Sequence, residues 1–401
     1  MKQHSGLVII MALLTTVSCA NPHDADTTKP VETKKPNTSY KPAFTGQTRI
    51  NAVKTATPYK TDKLAEKLGR PWAVIPMPDG RLLITEKSGY LILLKSDGSL
   101  VKKITGLPAV DDRGQGGLLD VALDPDFTQN KIIYWSFSEK TGNNNQTAVG
   151  KGKLNEEKGQ VENVLVIFRA GPALNSTLHF GSRLIFDKDN NLFVSTGERS
   201  NLDGRVQAQS LQSGLGKIFK ITRDGKPAAG TAFGSRSDVA AGLYAYGFRN
   251  PQSLDLHPVT GDLWEAEFGP RGGDELNLVK PGKNYGWPVI TYGLEYSGAA
   301  VGEGIQQKAG MEQPVYYWDP VLSPSGMSFY KGNAIPEWKN NLFIGGLSSA
   351  HICRLVIVNN KVVGEERLLT DKNERFRDVA YYNGALYTVT DNGNLYRISK
   401  K

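Results

Sequence analysis

A strand–turn–strand pattern recurs six times along this 401-residue chain and constrains the fold more than any other feature. In each copy a short apolar strand, a turn rich in Asp, Asn, Pro or Gly, and a second strand with an adjacent apolar pair follow one another. The second strands are marked by Leu82, Ile133, Leu192, Leu263, Leu342 and Leu386, which are 51, 59, 71, 79 and 44 residues apart. Such spacing is typical of one four-stranded propeller blade with its loops. The sequence therefore predicts an all-β protein, a six-bladed β-propeller with four-stranded antiparallel blades.

Composition and motifs narrow the classes of function. The 43 glycines and 21 prolines indicate a turn-rich β protein, and we assign residues 48–401 to one propeller domain. The net charge of +8 is spread without a run of five basic residues, which argues against a nucleic-acid partner. The chain contains neither a Gly-x-Ser-x-Gly elbow nor a Walker loop, which argues against a serine hydrolase and a P-loop nucleotidase.

The N-terminus indicates export. A basic start followed by an apolar stretch over 6–17 predicts a secretory signal peptide at residues 1–19. Residues 16–19 are close to a lipobox, in which Cys19 would carry the lipid; ordinary cleavage after Ala20 is the alternative. Residues 20–47 are rich in Thr, Lys and Pro, which predicts a disordered tether. The expected location is periplasmic or lipid-anchored at the cell envelope. Cys353 is the only other cysteine and is expected to be a packed core thiol.

Candidate site residues lie just before the first strand of each blade. In a propeller the N-terminal ends of the innermost strands surround one mouth of the central channel, so these segments are expected to meet. They are Arg70-Pro71-Trp72, Gln115-Gly116-Gly117, His179-Phe180-Gly181, Arg249-Asn250-Pro251-Gln252, Ser323-Pro324-Ser325-Gly326 and Arg375-Phe376-Arg377-Asp378. Arginines that face one pocket repel each other. Their clustering is favourable only with a polyanionic partner, whose planar carboxylate or phosphate groups accept bidentate hydrogen bonds from the guanidinium groups.

Other residues at the mouth leave alternatives open. His179 is a candidate general base whose ring Glu198 would hold, or else a structural histidine. The segment 267–275 combines glycines with three carboxylates, and it is either a Ca²⁺ loop or a plain acidic turn. The aromatic groups at 284–288 and 316–318 either wall a sugar site or pack between blades.

In these segments the chain resembles the soluble pyrroloquinoline quinone (PQQ)-dependent aldose sugar dehydrogenases of the glucose/sorbosone dehydrogenase family. The resemblance runs from about Leu68 to the C-terminus. Its elements are Gln115-Gly116-Gly117-Leu118-Leu119-Asp120, His179-Phe180-Gly181-Ser182-Arg183-Leu184, Tyr246-Gly247-Phe248-Arg249-Asn250-Pro251-Gln252, Gly269-Pro270-Arg271-Gly272-Gly273-Asp274-Glu275-Leu276-Asn277, Asn284-Tyr285-Gly286-Trp287-Pro288 and Arg375-Phe376-Arg377-Asp378. Their order and blade spacing make the set specific.

The resemblance implies a bound PQQ and a Ca²⁺ at the mouth. His179 would take the C1 hydroxyl proton of a cyclic aldose while hydride passes to the quinone, and Glu198 would orient His179. The residues implied to contact substrate or cofactor are Gln115, Arg249, Asn250, Arg375 and Arg377, and the carbonyls implied to ligate Ca²⁺ are those of Gly269 and Pro270.

Two positions depart from the family pattern. Leu178 stands where an Asn or Asp often precedes the base, and Ser348 stands where a cofactor lysine is common. The leading hypothesis is an exported oxidoreductase that converts aldoses to lactones and passes electrons to an external acceptor. The alternatives are a non-catalytic sugar- or glycan-binding propeller lipoprotein and a Ca²⁺-dependent lactonase-like hydrolase.

Overall fold

The computed structural model describes residues 28–234 and 236–401. The predicted signal peptide with Cys19 lies outside the described residues. The described chain is almost entirely β, with six four-stranded antiparallel sheets. None of its helices is long and apolar enough to cross a membrane.

Each sheet is one blade, and its strands follow one another from the channel outwards. Blade one is β2 (Pro71–Pro76), β3 (Leu82–Glu86), β4 (Tyr90–Leu94) and β5 (Leu100–Ile104). Blade two is β6 (Leu118–Leu123), β7 (Ile132–Thr141), β8 (Asn144–Asn155) and β9 (Gln160–Arg169). Blade three is β10 (Gly181–Phe186), β11 (Leu192–Thr196), β12 (Lys217–Ile221) and β13 (Leu243–Tyr246).

Blades four to six repeat the arrangement. Blade four is β14 (Pro251–Leu256), β15 (Leu263–Glu267), β16 (Asp274–Val279) and β17 (Tyr316–Trp318). Blade five is β18 (Pro324–Phe329), β19 (Leu342–Gly346), β20 (Ile352–Val358) and β21 (Lys361–Leu368). Blade six is β22 (Phe376–Tyr382), β23 (Ala385–Thr390), β24 (Leu395–Lys400) and, as its outer strand, β1 (Tyr59–Ala65). Two short α-helices, α1 (Phe127–Asn130) and α2 (Leu202–Gln207), and two 3₁₀ turns, at Pro336–Trp338 and Thr370–Lys372, lie in connections.

The six blades form a closed ring, which confirms the predicted architecture. Each innermost strand contacts the next, in the order β2, β6, β10, β14, β18, β22 and back to β2. The six sequence markers all lie in the second strands of their blades. The ring closes in blade six, where β1 pairs antiparallel with β24, from Tyr59 opposite Lys400 to Ala65 opposite Leu395. Closure in this way joins the first and the last strand of the chain by main-chain hydrogen bonds.

Apolar side chains pack between neighbouring blades. One cluster joins blades one and two around Trp72, Leu83 and Trp135, all of which are buried. Cys353 is fully buried in the cluster of blades four and five, as predicted, and burial raises the pKa of its thiol. Continuous packing of this kind makes the ring a rigid frame for the loops at its mouth.

A charged triad links three innermost strands across the channel. The Arg183 guanidinium lies 3.1 Å from an Asp120 oxygen and 2.9 Å from an Asp378 oxygen, and all three side chains are buried. Arg183 also stacks at 4.2 Å over the Trp72 ring. Burial, partly opposed by Arg183, raises the pKa of Asp120 to about 6. The triad holds β6, β10 and β22 together immediately below the mouth.

Residues 28–53 form an extended segment, here called the strap, that lies against blades four and five. The sequence predicts disorder up to residue 47, but residues 28–47 make ordered contacts; residues 20–27 lie outside the described part of the chain. Gln47 is fully buried and donates to the Pro314 carbonyl at 2.9 Å, while its own carbonyl accepts from the Tyr317 amide. A sequence without hydrophobic periodicity predicts that no regular helix or strand forms. It does not exclude polar contacts with distant blades, and such contacts order the strap.

Candidate active site

A cavity of about 490 Å³ opens at the mouth where the N-terminal ends of the innermost strands meet. This volume falls within the ~300–1,000 Å³ typical of small-molecule sites. Of the residues predicted for this mouth, those that line the cavity are Gln115, His179, Gly269, Pro270, Ser323, Ser348, Arg375 and Arg377. The structure thus brings together segments from blades two to six, whereas the blade-one segment Arg70-Pro71-Trp72, which was predicted to join them, does not line this cavity.

The backbone of His179 is held in an uncommon conformation. Its φ is +49°, in the left-handed region that costs a non-glycine residue about 1–3 kcal/mol. Hydrogen bonds on both sides maintain it: the His179 amide donates to Gln115 Oε1 at 2.8 Å, and its carbonyl accepts from the Arg199 amide at 3.3 Å. The Gly181 amide donates to Asn250 Oδ1 at 2.9 Å. Gln115 and Asn250 therefore position the histidine through its main chain.

The His179 ring pairs with Glu198. Nδ1 lies 2.5 Å from Glu198 Oε1, and the two residues are only 4% and 1% exposed. Because a carboxylate can only accept, Nδ1 carries the hydrogen and Nε2 carries the lone pair. The close approach requires glycine at position 197, where a Cβ would lie 2.3 Å from the His179 carbonyl oxygen.

Electrostatics keep the ring neutral. Burial and the Arg249 charge lower the pKa of His179 to about 4, although Glu198 opposes them. At neutral pH the ring is therefore an uncharged acceptor at Nε2.

Arg249 lines a smaller pocket that shares Phe268 and Gly269 with the main cavity. Its Nη1 donates to the Gly269 carbonyl at 2.7 Å, and its guanidinium lies 5.2 Å from the Trp287 ring centre. Arg249 Nε, Asn250 Nδ2 and Trp287 Nε1 are among the buried donors that have no partner in the described part of the chain. Asn250 is fully buried and does not line the cavity, so the structure gives it a positioning contact to Gly181 in place of the direct ligand contact predicted for it.

The predicted arginine pair is held by a carboxylate that the sequence did not indicate. Arg377 makes a bidentate contact with Asp391 at 2.8 and 2.9 Å, and Arg375 Nε donates to the same carboxylate at 2.8 Å. Burial of Asp391 is outweighed by the two arginines, which lower the pKa of its carboxyl. Arg271 also lines the cavity, and its side chain has no ion-pair or hydrogen-bond partner within residues 28–234 and 236–401. The cavity therefore carries net positive charge.

The loop after β15 is shaped by Asp274. Its carboxylate accepts from the amides of Gly269 at 2.9 Å, Leu322 at 2.8 Å and Ser323 at 2.7 Å, and burial raises its pKa to about 6. No group of three or more His, Cys, Asp or Glu side chains within the described ranges is arranged to hold a metal ion. Gly269 and Pro270, whose carbonyls are expected to ligate Ca²⁺, both line the cavity.

Some expectations differ from the geometry. The aromatic groups that left two interpretations open pack between blades: Tyr285, Trp287, Tyr316 and Trp318 are all buried and none lines the main cavity. Tyr296, which is 73% exposed, lines it instead. Asn37 of the strap lines it as well, and no sequence signal connected that residue with the mouth.

Comparison with known proteins agrees with this geometry. The family model described as Glucose / Sorbosone dehydrogenase matches residues 68–397. Aldose sugar dehydrogenase YliI of Escherichia coli (strain K12) is 40% identical over 345 residues, which is 84% of this chain and 92% of that protein.

Two solved structures are similar to the whole ring. The apo-form of the soluble aldose sugar dehydrogenase from Escherichia coli matches with a TM-score of 0.81 and 38% identity, covering 86% of this chain and 100% of that one. The PQQ-bound form of an aldose sugar dehydrogenase from Streptomyces coelicolor matches with a TM-score of 0.71 and 26% identity, covering 86% and 99%. Because the family model matches most of its length and a relative is 40% identical over 84% of it, this chain belongs to the glucose/sorbosone dehydrogenase family.

Proposed function

We propose that this protein is a PQQ-dependent aldose dehydrogenase that oxidises the C1 hydroxyl of a cyclic aldose to a lactone. The observation that carries the proposal is the His179–Glu198 pair, which sits at a cavity lined by Arg271, Arg375 and Arg377. The pair supplies a base, and the cationic lining suits a polyanionic cofactor.

His179 is the base in this proposal. Nε2 takes the proton of the C1 hydroxyl as the C1 hydride leaves, so the sugar loses two electrons and two hydrogens and becomes the lactone. Glu198 stabilises the imidazolium that forms and holds the ring in the correct tautomer. Gln115 and Asn250 keep the ring aimed through the backbone contacts already described.

The cavity suits PQQ, which has three carboxylates on a planar ring. When bound, PQQ supplies the two-electron acceptor for the hydride. Arg271, which is unpaired among the described residues, and the remaining N–H groups of Arg375 and Arg377 would hold its carboxylates. The buried, unpartnered Nε of Arg249 would donate to an acceptor oxygen of the ligand.

A Ca²⁺ ion beside the cofactor is part of the proposal. The Gly269 and Pro270 carbonyls are hard oxygen donors, the kind that Ca²⁺ prefers. The Gly269 carbonyl oxygen accepts one hydrogen bond from Arg249, so its second lone pair remains available to a cation. None of the described residues donates a hydrogen bond to the Pro270 carbonyl. Two carbonyls are fewer than the six to eight oxygens that Ca²⁺ takes, so cofactor and water would supply the rest.

The alternatives have weaker support. A sugar-binding propeller does not need a buried base with a lowered pKa, and a Ca²⁺-dependent hydrolase needs a carboxylate cluster around its ion that the described residues do not offer at the cavity. We also propose export to the periplasm or the envelope, with lipidation at Cys19 and electron transfer to an external acceptor, on the sequence of the N-terminus.

Reconstitution tests the proposal. Purified apoprotein treated with a chelator should be inactive, and adding PQQ together with Ca²⁺ should restore aldose-dependent reduction of an electron-acceptor dye. Omission of either component is the control. Activity with a nicotinamide cofactor in place of PQQ, or no aldose oxidation with both components present, would overturn the assignment.

A further inference from the structure

We infer that the strap forms a wall of the substrate cavity and that Asn37 is a sugar-specificity residue, whose Oδ1 accepts a hydrogen bond from an aldose hydroxyl. The inference rests on the proposed function for the identity of the ligand. It concerns a part of the chain that precedes residue 68, where the match to the family model begins.

The strap is anchored on both sides of Asn37. The Asp319 carboxylate accepts from the Asn37 amide at 2.8 Å, and from the Thr38 amide and hydroxyl at 3.1 and 3.0 Å. The Arg49 guanidinium donates to the carbonyls of Glu32, Lys34 and Asp319 at 3.1, 2.7 and 2.7 Å, so one side chain ties two points of the strap to blade four. These bonds fix Asn37 as part of a rigid wall.

The loop that lines the cavity is shaped to admit the strap. Gly272 has φ +77°, and a Cβ there would lie 2.8 Å from Asp319 Oδ1 and 3.2 Å from Asn37 Nδ2. A side chain at position 272 would therefore separate the strap from the loop. With glycine in place, Asn37 lines the same cavity as His179.

The hydrogen bond that Asn37 makes with Pro320 determines which side-chain atom remains available to a ligand. Nδ2 donates to the Pro320 carbonyl at 3.1 Å, and because a carbonyl can only accept, this contact fixes which side-chain atom is the amide nitrogen. Oδ1 has no partner among the described residues, although the side chain is only half-exposed. The Asn37 side chain that lines the cavity therefore has one acceptor oxygen without a partner among the described residues.

The chemistry of that oxygen favours the sugar over the cofactor. A neutral carbonyl oxygen is repelled by the carboxylates of PQQ, which the cavity arginines attract, whereas every aldose hydroxyl is a donor. We therefore assign Oδ1 to a hydroxyl remote from C1.

Deoxy sugars test the assignment. Wild type, Asn37→Ala and the exposed control Ser39→Ala are loaded with PQQ and Ca²⁺, and KM is measured for glucose and for its 2-, 3-, 4- and 6-deoxy analogues. Asn37→Ala should raise KM for glucose about 2- to 12-fold, the effect of losing one neutral hydrogen bond, with kcat little changed. For the one analogue that lacks the contacted hydroxyl, KM should be the same in variant and wild type. Ser39→Ala should match wild type throughout.

Three outcomes would overturn the inference: an unchanged KM for glucose, an equal KM increase for all analogues, or a weaker PQQ affinity in Asn37→Ala as measured by fluorescence titration. Failure of the proposed function is recognised separately, as absence of aldose oxidation in loaded wild type. In that case sugar binding is measured without turnover, by saturation-transfer NMR of glucose. The two proteins compared are His179→Gln and the double variant His179→Gln/Asn37→Ala. A reduced signal at one ring position supports the contact, and identical spectra refute it.

Discussion

At the scale of single residues, the left-handed backbone of His179 connects the fold to the chemistry. A strained conformation persists only where neighbouring groups over-determine it, and here the Gln115 side chain and the Arg199 amide do so. The strain aims the ring at Glu198 on one side and leaves Nε2 for the ligand on the other. In the proposed mechanism, His179 therefore needs no reorientation when the substrate binds.

Removal of the base should affect turnover much more than cofactor binding. We expect His179→Ala or His179→Gln to reduce kcat by ~10²–10⁴-fold, the usual contribution of a positioned base, with PQQ affinity nearly unchanged. Glu198→Gln should be milder, because a carboxamide oxygen still accepts from Nδ1 but no longer stabilises the imidazolium. Steady-state kinetics and PQQ titration measure both effects, and His257→Gln, outside the cavity, is the control. Equal losses of affinity and turnover would assign His179 a structural role.

Ser348 faces the cavity where a lysine is common in the family, and its Oγ lies 2.9 Å from Ser323 Oγ. We expect Ser348→Lys to tighten PQQ binding tenfold to a hundredfold, since a charge-assisted hydrogen bond contributes ~1.5–3 kcal/mol. The preferred sugar should not change. Titration of PQQ into apoprotein measures the affinity, and Ser39→Lys adds the same charge outside the cavity as a control. Unaltered affinity would indicate that Arg271 already takes the place of the lysine.

Much of the site was predictable residue by residue because its members lie at fixed places in a repeat. His179, Gln115 and Arg375 each precede an innermost strand, and that position alone predicts where they meet. The partners of these residues follow no such rule. Asp391 comes from the turn after β23, and Asn37 comes from a segment without any repeat, so only the folded chain brings them to the mouth.

At the scale of elements, β1 and the strap have separate tasks, although they are adjacent in sequence. β1 completes blade six by pairing with β24, whereas the strap ends at residue 53 and contacts blades four and five. The strand–turn–strand repeat predicted the blades well, because each copy of the pattern is local in sequence. The same criterion was wrong for 28–47, because this segment is ordered by distant polar partners such as Asp319 and not by its own periodicity.

Loss of β1 should open the ring. We expect a chain shortened to begin at residue 66 to unfold at a lower temperature than the full-length chain, with a thermal midpoint reduced by about 5–10 °C. The reason is that the outer edge of β24, which pairs with β1, loses its hydrogen-bond partners. The same exposed edge should promote association in size-exclusion chromatography. A chain that begins at residue 54 lacks the strap but retains β1, and its ring should remain closed and monodisperse. Similar thermal midpoints in the two shortened chains would show that β1 does not close the ring.

At the scale of the whole molecule, the propeller holds many buried carboxyl groups, and we expect their protonation to contribute to its stability. Glu265, Glu267 and Glu275 lie on the paired strands β15 and β16 and are buried. Burial raises the pKa of all three, that of Glu267 to about 8. Repulsion from Glu267 adds to the shift of Glu265 and Glu275, and repulsion from Glu198 adds to that of Glu267. Glu265 Oε1 and Asn277 Oδ1 have no partner among the described residues, and a proton on the carboxyl would give Oε1 a hydrogen to donate.

These carboxylates should make the metal-free protein less stable as the pH rises. In the unfolded chain they ionise near their ordinary pKa, whereas the folded chain keeps their protons, so their contribution is complete at acid pH and is lost as the pH rises through about 8. Lys217 acts in the opposite direction from about pH 7 upwards, because burial lowers its pKa to about 7 and the folded chain then holds fewer protons than the unfolded chain. The comparison is therefore made against Glu265→Gln, which resembles the protonated carboxyl. Between about pH 6 and 8, in a chelating buffer, we expect the free energy of unfolding to fall more steeply in wild type than in Glu265→Gln, by up to about 1.4 kcal/mol per pH unit, because burial raises the pKa of Glu265 well above its ordinary value. Urea unfolding at several pH values measures the two slopes.

Glu337→Gln is the control, because contacts with Thr57 and Ala56 outweigh the burial of Glu337 and lower its pKa to about 2, well outside the window. Parallel slopes in wild type and Glu265→Gln would mean that Glu265 is already ionised in the folded ring at neutral pH.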